Sequence, residues 1–474
     1  MAKNAVYSLL ILITTTFISS VQAQASFNVV DYGAKSDGVS DSAGAFLAAW
    51  SEACRSRQPA NVYVPPGTYY ISTAGLVSAG TIVASPNFSA DNKWISFLHV
   101  GGLRLTGGTI DGRGQELWAC KKAGKSCPHG STALIIDHSN NVVIDRINLV
   151  NSEMFHMAIQ RSNDVTIRSS IVSAPGDSPN TDGIHIHNSN NIAIVNSTIT
   201  TGDDCISMGP GVTNTWIENI NCGPGHGISI GSLGQSSGVE AVENVTVRET
   251  TFTGTQNGLR IKTWAQRNVG YVRGIVYQNA VMNNVDNPII IDQNYCPTDK
   301  DCPTQGSGIK ISNVTFSNVR GTSATEVAIK LDCSPTNPCT EIVLDNIRLT
   351  HSGGVTAAKS FCRHASGTAS GVPSKRISHN QNVQILFDPF LSCEKCSIGS
   401  LGSSSGQQGV DNVTVTVTVT GTTFTRTQNG QQIKTRAYLN EGYVMGIIYE
   451  DPIMNDVANP IIIDQKYCPG NVDK

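Results

Sequence analysis

Short runs of β-branched residues, separated by asparagine and glycine, recur from about Ala25 to Pro373. Apolar and polar residues alternate within each run, as they do in half-buried strands, and turn residues end it. C-terminal to about Ala60 no long stretch has helical apolar spacing. The pattern predicts an all-β chain, with strands such as Asn141–Ile144, Asp164–Ile167, Asn191–Ile194, Asn244–Val247 and Glu341–Leu344.

Alternation of this kind also suits a sandwich or a barrel. The asparagine that recurs before each run favours a parallel β-helix, because in stacked coils such residues can form ladders that bond the neighbouring turn. The stretch from Ala43 to Cys54 has helical apolar spacing, and a helix there would protect the open end of a solenoid from edge pairing. We therefore predict a parallel β-helix with an N-terminal capping helix.

The C-terminal part of the chain repeats an earlier part nearly residue for residue. Residues 397–469 match residues 229–297, and NPIIIDQNYCP at Asn287 returns as NPIIIDQKYCP at Asn459. The copy lacks the aspartate and histidine motifs described below, and Gln432 stands where the first copy has Arg260. We interpret 397–469 as a partial, non-catalytic duplicate, joined to a main domain at 24–374 by an unpatterned junction at 375–396.

The N-terminus predicts export from the cell. Lys3 precedes the apolar run Leu9–Ile13, and Val21-Gln22-Ala23 forms a small-residue cleavage pattern. We read residues 1–23 as a secretory signal peptide, since the run is short for the alternative, a membrane anchor. Export would make usable the Asn-x-Ser/Thr glycosylation sequences at Asn87, Asn196, Asn244, Asn313 and Asn412.

The composition of the chain argues against nucleic-acid partners and indicates that its cysteines form disulfides. Charged residues make up 15% of the chain and the net charge is −3. A chain without excess positive charge does not attract nucleic acid, so nucleic-acid binding is not expected. Thirteen cysteines in an exported chain indicate disulfides, with at least one cysteine left over. Zinc is the disfavoured alternative, because no CxxC pair is matched by a second. The candidate pairs are Cys120 with Cys127, Cys205 with Cys222, Cys296 with Cys302, and Cys333 with Cys339.

Four motifs follow one another at roughly the length of one coil. Asp182, Asp203, His226 and Arg260 are separated by about 21, 23 and 34 positions. In a solenoid, residues one repeat apart stack at about 4.8 Å, the ordinary strand spacing. The motifs would then form one compact column of acids and cations; they read Asn180-Thr181-Asp182-Gly183, Gly202-Asp203-Asp204-Cys205, Gly225-His226-Gly227 and Arg260-Ile261-Lys262.

The aspartates are suited to glycoside hydrolysis, which needs one carboxyl as proton donor and a second to activate water or attack carbon. Like charges this close raise one pKa, so one carboxyl can stay protonated. Simple stacking places Asp182 beside Asp203, which would suggest retention of configuration, whereas Asp182 and Asp204 around a water would fit inversion. Calcium binding or Asx turns are the alternative readings of these acids.

The histidine and the cations complete the column. His226 lies between glycines, where the backbone can approach a substrate closely, and it could orient the acid through a hydrogen bond. Arg260 and Lys262 are two residues apart on a strand and therefore share a face. An arginine can bind a sugar carboxylate through two hydrogen bonds while a lysine acts as a point charge. The alternative is a solvated strand face.

The column, together with the sequence Gly225–Ser232, resembles the polygalacturonases of glycoside hydrolase family 28, in particular the plant enzymes. Further matching stretches are Asn28–Ala34, Gly108–Gly112 and Asn294–Cys296. The resemblance, over about residues 26–372, implies a single-stranded right-handed parallel β-helix and inverting hydrolysis of α-1,4-galacturonan in pectin. It implies that Asp203 is the general acid, that Asp182 and Asp204 hold the water, that His226 supports the acid, and that Asn180, Arg260, Lys262 and Tyr295 bind substrate.

One departure from the family pattern concerns the N-terminal coils. After Pro65-Pro66-Gly67-Thr68-Tyr69 family members carry a coil with a Gly-Pro-Cys element, whereas here Ile71 leads through Gly75 directly to Thr81. The missing coil would leave Cys54 without a partner.

Our expectation is an extracellular, cell-wall, pectin-degrading hydrolase that acts as a monomer on pectic polysaccharide without cofactor, metal, nucleic acid or membrane. The alternatives are a calcium-dependent pectate lyase-like enzyme, against which Gly225-His226-Gly227 argues, and a catalytically inactive wall polysaccharide-binding homologue. Endo or exo action and tolerance of methyl esters stay open.

Overall fold

The computed structural model describes residues 25–371, apart from 59, 73–80, 85–92, 298–299 and 352–357, and the backbone of nine strands between residues 396 and 464. The described chain is almost entirely β, with one 3-10 turn at Val29–Tyr32 and two helices, α1 at Ala43–Arg55 and α2 at Gln115–Lys122. The prediction of a right-handed parallel β-helix is confirmed. The predicted signal peptide, residues 1–23, lies outside the described residues, as does the junction up to residue 395.

Strands of three to eleven residues form the coils of the main domain. In chain order the first sixteen are β1 Ala25–Asn28, β2 Asp37–Asp41, β3 Ala60–Tyr63, β4 Thr68–Tyr70, β5 Thr81–Val83, β6 Lys93–Leu98, β7 Arg104–Thr106, β8 Thr109–Asp111, β9 Thr132–Asp137, β10 Asn140–Asp145, β11 Asn148–Val150, β12 Met157–Gln160, β13 Asn163–Arg168, β14 Ile171–Ser173, β15 Ile184–His187 and β16 Asn190–Thr200. The next sixteen are β17 Ile206–Met208, β18 Val212–Cys222, β19 Ile228–Leu233, β20 Glu240–Arg248, β21 Thr251–Thr253, β22 Asn257–Trp264, β23 Gly270–Gln278, β24 Val281–Val285, β25 Asn287–Tyr295, β26 Ile309–Ser317, β27 Arg320–Ser323, β28 Val327–Asp332, β29 Cys339–Asp345, β30 Arg348–His351, β31 Lys359–Arg363 and β32 Ala365–Ser370.

One sheet positions the chemistry, and we call it the site sheet. It is parallel and ten strands long, in the order β6, β9, β12, β15, β17, β19, β22, β25, β28 and β31, so each strand pairs with the one a coil away. Its inner face is a stack of buried aliphatic residues that runs from Ile159 through Ile186, Met208, Ile230 and Ile261 to Ile291. Removing this apolar surface from water stabilises every coil against its neighbours.

Asparagine ladders bind the coils at the turns, as the sequence pattern predicts. Asn346 donates to Asn318 at 2.8 Å, and Asn318 donates to Asn279 at 3.0 Å. All three residues have positive φ, a conformation that asparagine adopts more readily than most residues. Stacked side-chain amides therefore repeat the pairing that the strands make with their backbones.

The N-terminal end is capped by α1, over the range that the sequence predicts. Phe46 and Ala49 are buried, and Phe46 makes an edge contact with Tyr69 at 5.7 Å between ring centroids. The neighbouring coil is short, since β5 follows β4 closely in the chain and Thr81 pairs directly with Thr68. Cys54, at the end of the helix, is an exposed free thiol.

Four disulfides join the cysteines that the sequence pairs. Three close small loops: Cys120–Cys127, Cys296–Cys302 and Cys333–Cys339. The fourth, Cys205–Cys222, ties the aspartate turn to the strand β18 that leads toward His226. None of the helices in the described chain is long and apolar enough to span a membrane.

The C-terminal copy forms coils of its own. Its strands are β33 Cys396–Leu401, β34 Gln408–Val410, β35 Val415–Val417, β36 Thr423–Thr425, β37 Asn429–Thr435, β38 Gly442–Val444, β39 Ile447–Tyr449, β40 Ile453–Asn455 and β41 Asn459–Asp464. They pair in parallel, and Ser397 lies opposite Gln432 as Ser229 lies opposite Arg260 in the main domain. The backbone of the copy thus repeats the coils of 229–297, but the copy has Gln432 where the main domain has Arg260.

Candidate active site

The three aspartates lie on the turns that lead into neighbouring strands of the site sheet. Ile184 pairs with Ile206, and the Gly183 amide donates to the Asp204 carbonyl at 2.9 Å. Asp182 is therefore stacked on Asp204. The simple stacking of Asp182 on Asp203 that spacing suggested is wrong by one position, because the coil is one residue longer than the distance between the two motifs.

Asp182 is buried and held by a relay of two side chains. Ser207 Oγ donates to Asp182 Oδ2 at 2.7 Å, and His185 Nδ1 lies 2.8 Å from the same Ser207 Oγ. Because the serine proton is used on the carboxylate, the His185 Nδ1–H donates to the serine. Burial lowers the pKa of His185 to about 4, and His187 and Lys262 contribute by charge repulsion. His185 is therefore neutral at mildly acidic pH.

Asp204 is the more tightly paired carboxylate. Ser229 Oγ donates to its Oδ1 at 2.7 Å and Lys262 Nζ donates to its Oδ2 at 2.8 Å. The side chains of Asp204 and Lys262 are only 2% and 10% exposed. Burial alone would lower the pKa of Lys262, but the Asp204 charge outweighs that effect and raises it. The ammonium therefore keeps its charge against the Asp204 carboxyl.

Asp203 is the most exposed of the three carboxyls and is held by His226. His226 Nδ1 donates to Asp203 Oδ1 at 3.0 Å, and the Asp204 amide donates to the same oxygen at 2.8 Å. Gly225 and Gly227 permit this approach: a Cβ on Gly225 would meet the Asp203 carbonyl at 2.7 Å, and one on Gly227 would meet the Asn257 carbonyl at 2.1 Å.

The carboxyls hold unequal affinities for a proton. Burial raises the pKa of Asp182 well above its ordinary value, and the charges of Asp203 and Asp204 add to the effect. Burial also raises the pKa of Asp203, but the His226 hydrogen bond and charge outweigh it, so the pKa of Asp203 is lowered. Before substrate binds, Asp182 therefore holds a proton more strongly than Asp203 does.

The cations continue along the same face. Arg260 lies opposite Ser229, and its guanidinium carbon is 5.1 Å from the centroid of the Tyr295 ring. Lys262 Nζ lies 5.2 Å from the same ring, which makes an edge contact with Trp264. The Arg260 Nε is buried without a hydrogen-bond partner, so a donor is left for an anionic ligand. Asn180 is exposed on the turn before Asp182.

A cation site was one alternative reading of the acids. Among the described residues, Asp203, Asp204 and His226 have ligand atoms within 4.8 Å of one another. Two of these ligand atoms, however, already have hydrogen bonds: Asp204 Oδ2 accepts from Lys262 Nζ, and His226 Nδ1 donates to Asp203 Oδ1. A lysine ammonium thus supplies the positive charge that a metal would bring.

Sequence reasoning missed Ser207, Ser229 and His185, which face the carboxylates. The pairs Asp182–Ser207 and Asp204–Ser229 both have a separation of 25 residues. The repeated Ile-Ser dipeptides at Ile206 and Ile228, one coil apart, were the signal that could have found them. His185, Ser207, Ser229 and Arg260 form one register column of the site sheet.

Removing the Ser207 hydroxyl should raise the pKa of Asp182 and leave its carboxyl less well oriented. We expect Ser207→Ala to lower kcat about tenfold with little change in KM, since a charge-assisted hydrogen bond contributes roughly 1.5–3 kcal/mol. The serine lowers the pKa of Asp182, so its loss raises that pKa further and moves the acidic limb of the kcat–pH profile to higher pH. Ser162→Ala, a buried serine on the Gln160 carbonyl, is the control; an unshifted acidic limb in Ser207→Ala would contradict the relay.

Comparisons with known proteins agree with this geometry. The sequence model of the glycosyl hydrolases family 28 matches residues 54–371 and again 377–473. A polygalacturonase of Prunus persica is 47% identical over 385 residues, 78% of this chain and 98% of that protein. An exopolygalacturonase of Platanus acerifolia is 41% identical over 368 residues, 74% of this chain and 97% of that protein.

Solved structures share the fold. An endo-xylogalacturonan hydrolase from Aspergillus tubingensis superposes with a TM-score of 0.64 at 22% sequence identity. The match covers 76% of this chain and 100% of the hydrolase chain. An exopolygalacturonase from Thermotoga maritima superposes with a TM-score of 0.56 at 18% sequence identity. The match covers 73% of this chain and 87% of the exopolygalacturonase chain. With its two family matches and its closely similar plant relatives, this chain belongs to the glycosyl hydrolases family 28.

Proposed function

We propose that this protein is a polygalacturonase that hydrolyses α-1,4-galacturonosyl linkages in pectin with inversion of configuration. The observation that carries the proposal is the stack of Asp182 on Asp204, with Asp203 beside it on His226 and Arg260 on the same face. The polygalacturonase relatives from peach and plane tree support the same substrate class.

Asp203 is the proton donor in this mechanism. Its side chain is 20% exposed, against 2% for Asp204, so it is the carboxyl that a glycosidic oxygen can reach. A general acid needs a proton, and before substrate binds His226 lowers the pKa of Asp203. A bound galacturonate chain covers Asp203 and adds carboxylates nearby, and both effects raise its pKa. The proton then passes to the leaving oxygen as the glycosidic bond breaks.

Asp182 and Asp204 hold the attacking water. They lie one coil apart, at about the 4.8 Å strand spacing. Ser207 and Ser229 each fix one oxygen of these carboxylates, which orients both groups before substrate binds. In the complex the proton of Asp182 passes to Asp203, and the freed Asp182 carboxylate accepts the proton of the water as its oxygen attacks C1.

Arg260 and Lys262 bind the sugar carboxylate next to the scissile bond. Lys262 donates to Asp204, but its ammonium has three donors and can also contact substrate. Arg260, stacked beside Tyr295, brings a planar fork that matches a carboxylate. A chain of net charge −3 thus presents a local cationic surface to an acidic polymer.

The cellular setting is part of the proposal. The predicted signal peptide supports an extracellular, cell-wall location, and three of the five glycosylation sequences begin at exposed asparagines with positive φ, Asn196, Asn244 and Asn313. We propose that the enzyme acts there as a monomer, because one chain supplies every catalytic group named above. Identification of the mature N-terminus and of glycans on protein collected from the medium of expressing plant cells would test the location.

The test of the reaction is direct. Purified protein is incubated with polygalacturonate, and reducing ends and the anomeric proton signals of new ends are followed. We expect saturated products that first appear as β anomers, and equal rates with and without a chelator. Unsaturated, chelator-sensitive products would instead identify a lyase, and binding without release of reducing ends would identify an inactive wall-binding protein.

Arg260→Gln should weaken substrate binding. This is the change that the C-terminal copy already carries at Gln432. We expect KM on polygalacturonate to rise about tenfold or more, since a charged bidentate hydrogen bond is lost. Arg273→Gln, on an exposed arginine paired with Glu243, is the control. Equal KM values for the two variants would show that Arg260 does not contact substrate.

A further inference from the structure

A second cationic cluster lies on the turns that follow the strands of the site sheet. His99, His138, Arg161 and Asn188 occupy the same position in four successive coils, each with φ between 47° and 55°. Each amide donates to the carbonyl of the next coil, from His99 to Asp137, from His138 to Gln160 and from Arg161 to His187. We call His99, His138 and Arg161 the basic ladder.

The ladder departs from what the fold prefers at such positions. Elsewhere the positive-φ turn residues are mostly asparagines that bond one another, as Asn279, Asn318 and Asn346 do. An arginine adopts this conformation less readily than an asparagine. Three successive coils of the site sheet nevertheless carry a histidine or an arginine in this conformation.

The side chains of the ladder contact one another. The His99 and His138 rings lie 4.9 Å apart. Arg161 Nε donates to His138 Nδ1 at 3.2 Å, and Arg161 Nη2 donates to Asp137 Oδ2 at 2.7 Å. The side chains of Arg161 and His138 are 41% and 43% exposed, so the cluster is organised and still open to a ligand.

The charges of the cluster do not cancel. Lys93 Nζ also lies 3.7 Å from Asp137 Oδ2, so a single carboxylate serves both Lys93 and Arg161. Burial raises the pKa of Asp137, but the Arg161 hydrogen bond and the neighbouring cations outweigh it and lower that pKa. With Asp137 ionised, its single negative charge leaves one of the two positive charges of Lys93 and Arg161 unbalanced.

The ladder and the candidate active site share one face. His187, one coil beyond Arg161, is close enough for the arginine charge to lower its pKa after burial has done so, and it stacks on His185 at 6.4 Å. His185 in turn reaches Asp182 through Ser207. The coil of Arg161 is two coils from that of Asp203, about 10 Å along the solenoid axis.

We propose that the basic ladder is a distal subsite that binds a carboxylate of the same galacturonan chain whose linkage is cleaved at Asp203. The proposal rests on the proposed polygalacturonase function and adds a substrate-length preference to it. A chain that reaches from the aspartates to Arg161 gains a contact that a short oligosaccharide lacks. The ladder therefore favours long substrates over short ones.

Arg161→Asn tests this, because asparagine is the residue that the next coil carries at this position in Asn188. The matched control is Arg146→Asn. Arg146 has φ 55° and lies 3.2 Å from Asp145, but it follows β10, outside the site sheet. We measure the ratio of kcat/KM on polygalacturonate to kcat/KM on trigalacturonate. The ratio should fall about five- to tenfold in Arg161→Asn, from loss of a charge-assisted contact, and stay at the wild-type value in Arg146→Asn.

A binding measurement separates this inference from the proposed function. In an Asp203→Asn background, Arg161→Asn should weaken equilibrium binding of polygalacturonate by a similar factor, and added salt should reduce the difference. Wild-type protein that cleaves neither substrate would refute the proposed function, and the binding arm would still decide the ladder. Unchanged ratio and unchanged binding in Arg161→Asn would overturn the inference.

Discussion

Asp203→Asn is expected to lower kcat on polygalacturonate by roughly a hundred- to ten-thousandfold, the contribution of a positioned proton donor. The substitution keeps the volume of the side chain and an oxygen that can accept from His226 and from the Asp204 amide. The fold should therefore stay intact while the donor is lost. The measurement is the rate of reducing-end release by variant protein whose thermal unfolding matches that of the wild type; activity within tenfold of wild type would refute the assignment.

Asp182→Asn and Asp204→Asn are the matched controls, since each removes a neighbouring carboxyl at constant volume. An aryl galacturonide separates the roles, because its phenolate leaves without protonation. Asp203→Asn should lose much less activity on that substrate than on polygalacturonate, whereas the two controls should lose comparable activity on both. The opposite result, a smaller loss on the aryl substrate in Asp182→Asn and not in Asp203→Asn, would identify Asp182 as the general acid. Its raised pKa would fit that role.

The fold could be predicted because the sequence pattern and the physics of stacked coils agree. Alternating runs such as Asn191–Ile194 show the strands, and the asparagines between them show the turns, where they form the ladders seen at Asn279, Asn318 and Asn346. The apolar spacing of Ala43–Cys54 shows the cap, α1. Missing from the pattern was the coil length, which depends on turns of variable size.

The same gap limits the prediction of the site. The motifs identified the acids, His226 and Arg260, but a one-residue error in the coil length exchanged Asp203 for Asp204 as the neighbour of Asp182. The serines that hold the carboxylates follow from the true register and not from any motif. The basic ladder was missed for a similar reason: His138 and Arg161 are ordinary surface residues until the turns that carry them are stacked.

Lys262→Met is expected to damage both stability and catalysis. Lys262 is the cation on Asp204, and both side chains are almost completely buried. A buried carboxylate that loses its counter-charge costs about 3–5 kcal/mol of stability unless it takes up a proton. A protonated Asp204 cannot help to activate water, so kcat should fall at least a hundredfold. Chemical unfolding and initial rates on polygalacturonate measure the two effects, and Arg273→Met, from the exposed pair with Glu243, should leave the free energy of unfolding close to the wild-type value.

The double variant Lys262→Met/Asp204→Asn separates the two effects. Replacing the carboxylate with a neutral amide removes the unpaired charge, and the amide oxygen can still accept from Ser229. We expect the free energy of unfolding to return most of the way to the wild-type value, because neutral partners of similar shape fit a buried site without desolvating a charge. Activity should stay as low as in Lys262→Met, because one of the two groups that hold the water is gone. A double variant as unstable as Lys262→Met would mean that the lysine stabilises the coil by packing alone, and a double variant that regains activity would remove Asp204 from the mechanism.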